Sequence, residues 1–494
     1  MNAVFLPILI PLAAIMLLFF FRSDRFSHAI IILGSSLLLA SSLFLLWKIN
    51  REGVLSLYMG AWEAPYGITL VVDYFSVLML IVTALVLLVV SIYKTRFIPP
   101  GASDNRFSIF FFALAMGVNG AFIAGDVFNL FVWFELILIS SFVLITYCKE
   151  KLQYHAGIKY LGMNLLGSLF FLAGIGLMYG RTGTLNMAHL AAILNENGFP
   201  SGLNTSATLI FLAFGIKSAV FPLFFWLPAS YHTPNITITS LFAGLLTKVG
   251  VYAMIRFFTL IFTQDQALWH TIFLVVAGLT MLYGGMAATT QYKLQRILSF
   301  HIISQIGYMI MGLGIFTPLA IAGSIFFMMH NMIAKTNTFL VAGMINKLRG
   351  TYDLKSIGGL FKEDPLLAVL FIIPAFALAG IPPISGFFAK FILIKAGFEA
   401  GQYLISAVAL LTGLLTLYSM IKIWNEAFLK QQPQDEESGE GKQTLTFIDY
   451  LPSVILGTVS ILMGIFANAV FGLTEKAAGF LMNTGPYIEN ILIR

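Results

Sequence analysis

Runs of about twenty apolar residues, separated by short polar connections, recur along almost the whole chain. Each run is long enough to cross a bilayer as a helix. Fourteen of them fall at approximately 3–21, 28–48, 71–93, 108–126, 128–148, 160–180, 206–228, 235–262, 269–289, 297–316, 319–345, 365–397, 403–429 and 450–471. The pattern predicts an all-α, polytopic membrane protein with about 14 transmembrane helices and little chain left for water-soluble domains. Composition agrees, since 59% apolar against 10% charged residues leave too little polar surface to clothe a soluble globule of 494 residues. The first run lacks a basic leader and a small-residue cleavage site, and after a short RSDRFSH turn a second span follows, so it reads as span 1 rather than a removed signal peptide.

Counting connections alternately from side to side places RSDR (22–25), YKTR (93–96) with Arg106, CKEK (148–151) with Lys159, YKLQR (292–296) and NKLRGTYDLK (346–355) on one face. Lysine and arginine collect on the cytoplasmic side of membrane proteins, so that face is expected to be cytoplasmic and both termini extracytoplasmic. The polar stretch at 431–449 reads as a cytoplasmic linker by composition. The net charge of +6 is mostly this topological signal and does not point to nucleic acid.

A single cysteine, Cys148, excludes disulfides, thiolate zinc sites and iron–sulfur clusters held within this chain. The nearest approach to a phosphate-binding loop, Gly-Glu-Gly-Lys-Gln at 439–443, lacks the first glycine and the hydroxyl. No cofactor is expected, and energy is left to an ion gradient, membrane voltage or a partner protein.

Charged and titratable residues at mid-span are few: Glu135 in span 5, Lys217 in span 7, Lys248 in span 8, His330 and Lys335 in span 11, and Lys390 in span 12. Each charge costs about 2.5–3.5 kcal/mol at the centre of a span. Five left unpaired would consume something like the roughly 5–15 kcal/mol stability of an ordinary domain. One Glu–Lys pair locking two helices, with the other lysines snorkelling to an interface, is the structural alternative; Lys395, near a helix end, fits that description. Lysine suits proton movement because burial disfavours its ammonium while an approaching carboxylate favours it. A Glu135–Lys217 pair that opens and closes can therefore load and release a proton, with Lys248, the histidines and water continuing the path.

Pro222 follows Lys217 by five residues in span 7, and Gly380, Pro382, Pro383 and Gly386 precede Lys390 in span 12. Proline removes a backbone donor and crowds the preceding turn, and broken backbone survives at membrane depth only where protein or water covers it. The two interrupted spans lie five apart, an odd number, so equivalent helices in two such units run in opposite directions. This predicts two inverted five-helix repeats, spans 4–8 (108–262) and 9–13 (263–430), after an N-terminal group of three spans (1–107) and before span 14 with its tail (450–494). Gly/Pro-interrupted segments at corresponding places mark transporter binding sites, although prolines that merely bend helices for packing are the alternative.

The stretches NLFVWFELILIS (129–140), FFWLPASYHTPNITITSLFAGLLTKVGVYAMIRF (224–257) and KLQRILSFHIISQIGYMIMGLG (293–314) resemble the antiporter-like subunits shared by respiratory complex I and the multisubunit Mrp-type Na⁺/H⁺ antiporters. The resemblance runs from about span 4 to span 13, and its Trp-Leu-Pro…His…Pro…Leu-x-Lys-x-Gly pattern is far more specific than any isolated lysine. SFHIISQIGYM and WLPASYHTP look most like the D-type subunits of the Mrp branch. The short tail disfavours the longer A-type, and Lys390 stands where the middle pump subunit of complex I usually carries glutamate. The resemblance implies that Glu135 and Lys217 form the charge pair, that Lys248 continues the path, that His330 and Lys335 belong to a central hydrophilic axis, and that Lys390 lies near the outlet of the second half-channel. It also implies companion subunits in a hetero-oligomeric complex. PNITITS (234–240) departs from the smaller residues of many relatives, leaving His232 a candidate proton inlet with capping or loop packing as its alternative.

Sodium wants carboxylate, carbonyl or hydroxyl oxygens, but Asp73 and Asp126 stand at helix starts, where an N-cap is the commoner role. No sodium or other metal site is assigned. Three functions are therefore in view: a cation/proton antiporter subunit moving protons along Glu135, Lys217, Lys248, His330, Lys335 and Lys390; a proton-pumping module of a redox complex; and a non-conducting scaffold.

Overall fold

A computed structural model describes residues 3–21, 23–97, 105–200, 202–433 and 444–492. Of the linker expected at 431–449, residues 434–443 lie outside the described residues, and its last three already belong to a helix. The N-terminal group comprises α1 (Leu6–Phe20), α2 (Asp24–Glu52) and α3 (Tyr74–Phe97). Between α2 and α3 lies a feature missed in the sequence, a two-stranded antiparallel ribbon of β1 (Leu55–Tyr58) and β2 (Thr69–Val72), paired from Leu55↔Val72 to Tyr58↔Thr69.

The next helices are α4 (Arg106–Phe122), α5 (Val127–Ile145), α6 (Lys151–Thr182), the short α7 (Met187–Asn197), the broken pair α8 (Leu203–Ser218) and α9 (Trp226–Ser230), and α10 (Ile236–Leu260). Then come α11 (Gln266–Thr290), α12 (Leu294–Ile315), α13 (Pro318–Arg349), the single turn α14 (Leu360–Glu363), the second broken pair α15 (Pro365–Ala379) and α16 (Ser385–Glu399), and α17 (Tyr403–Ile423). The chain closes with α18 (Phe447–Ile465), α19 (Ala467–Met482) and α20 (Gly485–Leu492).

Among the described residues, ten helical stretches are long and apolar enough to cross a membrane. Four further crossings fall short for visible reasons. α4 is short at 17 residues, α8–α9 and α15–α16 are broken, and α13 interrupts its apolar run with His330, Asn331, Lys335 and Asn337. Together they account for the fourteen spans. Span 14 is longer than its apolar run suggested, because the chain bends at Phe466 and continues as α19 to Met482.

Local chemistry sets the ends. Asp126 accepts from Asn129 N, Asn235 from Thr237 N, Thr317 from Ala320 N ahead of Pro318, and Asp364 from Leu367 N ahead of Pro365. These side chains satisfy backbone donors that a helix start leaves unpaired.

The connections alternate faces as the spans require. On one face β2 bonds to the α4–α5 connection through Val71 N and Ile123 O (2.8 Å), Asp126 bridges Asn186, and the Tyr58 hydroxyl donates to Ile491 O (2.8 Å). On the basic face Lys293 bridges Asp353, Gly359 N donates to Lys430 O (2.6 Å), and Lys422 Nζ donates to Gln291 O (2.6 Å). Between the faces, α10, α12 and α13 are buried along nearly their whole length. Burial on every side places these three in the interior, and α10 and α13 carry Lys248, Arg256 and Lys335 there.

Candidate functional site

α8 ends where Ala219 adopts a left-handed conformation (φ 59°, ψ 50°), just after Lys217 and Ser218. The stretch 219–225 is irregular. Trp226 Nε1 donates to Ile216 O (2.9 Å) and Phe221 N to Thr280 Oγ1 (3.0 Å), so neighbours satisfy backbone groups that the break frees. Helix α10 passes directly behind it: a Cβ on Gly250 would stand 2.5 Å from Ser218 Oγ.

Lys217 is 8% exposed, and its Nζ donates to Ser168 Oγ of α6 (3.3 Å) and stands 5.5 Å from the centre of the Phe134 ring. A small cavity lined by Phe134, Tyr160, Asn164, Trp226 and Lys217 itself adjoins it. Glu135 lies within electrostatic reach of Lys217. Among the described residues no ion pair within 4.0 Å joins them, and Glu135 Oε1 is buried without a hydrogen-bond partner. The two charges implied as a pair are thus neighbours with the contact open.

Lys248, on α10, has no exposure, and its Nζ donates to Ala243 O (2.5 Å). Lys335, on α13, is equally buried and its Nζ has no partner among the described residues. α10 and α13 touch closely here, since a Cβ on Gly244 would collide with Thr336 Oγ1, and Lys335 interacts electrostatically with Lys248 and Lys390.

The second break is built differently. α15 stops at Gly380, whose φ of 86° suits glycine, and residues 381–384, with Pro382 and Pro383, precede α16. Lys390 Nζ reaches back to donate to Leu378 O (2.7 Å) and Ala379 O (3.0 Å), carbonyls that α15 leaves open at its end, and it stands 5.2 Å from the Tyr308 ring centre. An ammonium at a helix C-terminus is favoured by hydrogen bonding and by the dipole. Lys217 thus precedes its break and Lys390 follows its own. His330 Nδ1 lies 2.9 Å from Ser385 Oγ, the first residue of α16, while its Nε2 is unpartnered among the described residues.

Between the breaks are polar groups that were not singled out from the sequence. His301 and Gln305 of α12 and Asn331 of α13 are buried, with both His301 nitrogens, Gln305 Oε1 and both Asn331 side-chain heteroatoms unpartnered among the described residues. His301 interacts electrostatically with Lys335 and Lys390. The signal available was His301 and Gln305 four residues apart, one face of a helix in SFHIISQ. A buried polar atom without a partner costs about 1–3 kcal/mol. Water is the partner that such buried groups ordinarily take.

His232 lies in the connection after α9, with Nδ1 2.9 Å from Pro228 O. Burial lowers its pKa, the Pro228 hydrogen bond opposes this, and Arg296, Lys293 and Lys159 lower it further. Asp126 and Asp73 are both caps, as their positions suggested. Asp73 Oδ1 accepts from Ser76 N (2.9 Å) and its Oδ2 meets Arg256 at 2.6 Å, a buried ion pair that the sequence reading missed. Among the described residues no group of three or more His, Cys, Asp or Glu side chains could hold a metal ion.

The profile of the family "NADH:quinone oxidoreductase/Mrp antiporter, TM" matches residues 124–416. The D-type Na⁺/H⁺ antiporter subunit of Alkalihalophilus pseudofirmus is 44% identical over 492 residues, covering 99% of each chain. A chain of the Mrp complex from Dietzia sp. DQ12-45-1b superposes with a TM-score of 0.90 at 30% identity, covering 99% of both. A chain of the archaeal membrane-bound sulfane sulfur reductase, a respiratory membrane complex, does so with a TM-score of 0.91 at 26% identity, again covering 99% of both.

Proposed function

Because the chain belongs to the NADH:quinone oxidoreductase/Mrp antiporter membrane-subunit family, we propose that it is the D-type subunit of a multisubunit Na⁺/H⁺ antiporter and moves the protons of that exchange. The observation that carries this reading is the buried row of charged and unpartnered polar groups between two helix breaks. A proton taken up from the basic, cytoplasmic face charges Lys217. With Glu135 close the ammonium is held; with the contact open, Ser168 holds it less firmly and the proton passes by water to Lys248. From there Lys335, His301 and His330 lead to Lys390, whose ammonium rests on the carbonyl end of α15. Lys248 and Lys335, of like charge in a buried setting, are not comfortably charged together, so arrival at one favours departure from the other.

The two five-helix units at 108–262 and 263–430 supply one break each, and His232 stands at the first inlet. Membrane voltage contributes about 2.3 kcal/mol per charge per 100 mV. The sodium route is assigned to no residue of this chain, and companion subunits of the complex are the place to seek it. Transport rather than substrate chemistry is the activity expected.

The similarity to a chain of a respiratory complex favours a second reading, a proton-pumping module driven by a redox partner. The subunits that copurify, identified by mass spectrometry, decide between them. The test of conduction itself is Lys217→Ala: the complex assembles, and Na⁺-dependent proton exchange in inverted vesicles falls to background. Retained exchange would leave this chain a scaffold.

A further inference from the structure

α18 belongs to neither five-helix unit, yet it reaches the relay. Ser460 Oγ lies 2.9 Å from Ser385 Oγ, which lies 2.9 Å from His330 Nδ1. His330 and Ser460 are at most 2% exposed and Ser385 is 1% exposed. The approach is arranged by glycines. A Cβ on Gly464 would collide with Pro383 O, and one on Gly386 would collide with Ala377 O and stand 2.9 Å from His330 Cε1. A second polar bridge, Ser453 Oγ to Asn337 Oδ1 (2.6 Å), joins α18 to α13 seven residues along each antiparallel helix and touches no relay group. Ser385 does not cap α16, so its hydroxyl is free for this contact.

We propose that Ser385 and Ser460 are positioning residues of the proton relay, and that through them α18 selects the form of His330 that accepts and releases a proton. The inference rests on the relay proposed above. Each hydroxyl has one hydrogen, so the chain has two directions. With the ring neutral and its hydrogen on Nε2, Ser460 donates to Ser385 and Ser385 donates to Nδ1. With the ring charged, Nδ1–H donates to Ser385, Ser385 must turn to donate to Ser460, and Ser460 becomes an acceptor. Among the described residues Nε2 has no partner. A proton from the axis therefore enters there when the neutral ring carries its hydrogen on Nδ1 and donates it to Ser385, the same serine direction as in the charged ring. The Nε2–H form has no open nitrogen on that side. The other charged or titratable groups around the ring are Lys390 of α16, His301 of α12 and Lys335 of its own helix, with Lys248 of α10 beyond Lys335. All but the histidine bring positive charge, so a polarisable acceptor chain on the far side is what allows the ring to be charged at all.

Removing Ser460 takes away the acceptor used in the charged state and leaves Ser385 donating to Nδ1. In the assembled complex in inverted vesicles, Ser460→Ala should displace the pH profile of exchange toward acid by about one unit. Ser460→Thr should restore the profile, and Ser453→Ala, a change of the same size on the same helix, should leave it in place. If Ser460→Ala does not assemble, Ser460→Cys is read instead, since a thiol accepts poorly, with the same direction expected. An unmoved profile, or equal displacement by the Ser453 variant, overturns the proposal. His330→Ala separates the two readings. If it abolishes exchange while the Ser460 variants keep the wild-type profile, only the serine proposal falls; if it exchanges normally, the relay through His330 falls and the serine proposal with it.

Discussion

Arg256 and Asp73 meet at 2.6 Å with side chains 7% and 3% exposed, and the arginine lies 5.4 Å from the Tyr487 ring centre. Taking one partner away leaves a buried charge uncompensated, which costs about 3–5 kcal/mol. Asp73→Asn should therefore lower the thermal midpoint of the purified complex by several degrees, and the double variant Asp73→Asn/Arg256→Met should recover part of it. At this scale the buried lysines were legible because a charge in the middle of an apolar run is costly and stands out from its neighbours. Arg256 was not, since it lies near the end of its run, where arginine ordinarily reaches the interface. His301, Gln305 and Asn331 were missed for another reason: polar side chains within a span are unremarkable until the fold shows buried atoms of theirs without a partner among the described residues.

At the scale of elements, the two breaks were legible from proline and glycine chemistry, which local sequence fixes. The ribbon, α7 and α20 were not, being too short to show a period and held by contacts far away in sequence. The bend at Phe466 has no proline to announce it, and Gly464 just before it reads equally well as a packing contact. Packing at the second break depends on Gly464, so Gly464→Ala must push either α18 or the Pro383 carbonyl aside. Assembled complex on a native gel should fall several-fold, whereas Gly472→Ala, with open space around it, should leave it unchanged.

For the whole molecule, Cys148 offers a test of sidedness. It is exposed on the basic face and is the only cysteine of the chain. A membrane-impermeant maleimide should label it in inverted vesicles and not in intact cells; the reverse result would invert the orientation. Burial raises its thiol pKa, the Gln153 side chain opposes this and Glu150 adds to it, so labelling should quicken as pH rises from 7 to 9.

The cross-links at the two faces have a mechanical consequence. Both rims are stitched: the ribbon, the α4–α5 and α6–α7 connections and α20 at one end, and the 293–353 and 359–430 contacts at the other. A barrel with both hoops tight does not rock open like a pair of jaws. On the relay proposed above, what is left to change during a turnover is the middle, and the cycle expected of such a molecule is one of wetting rather than of hinges.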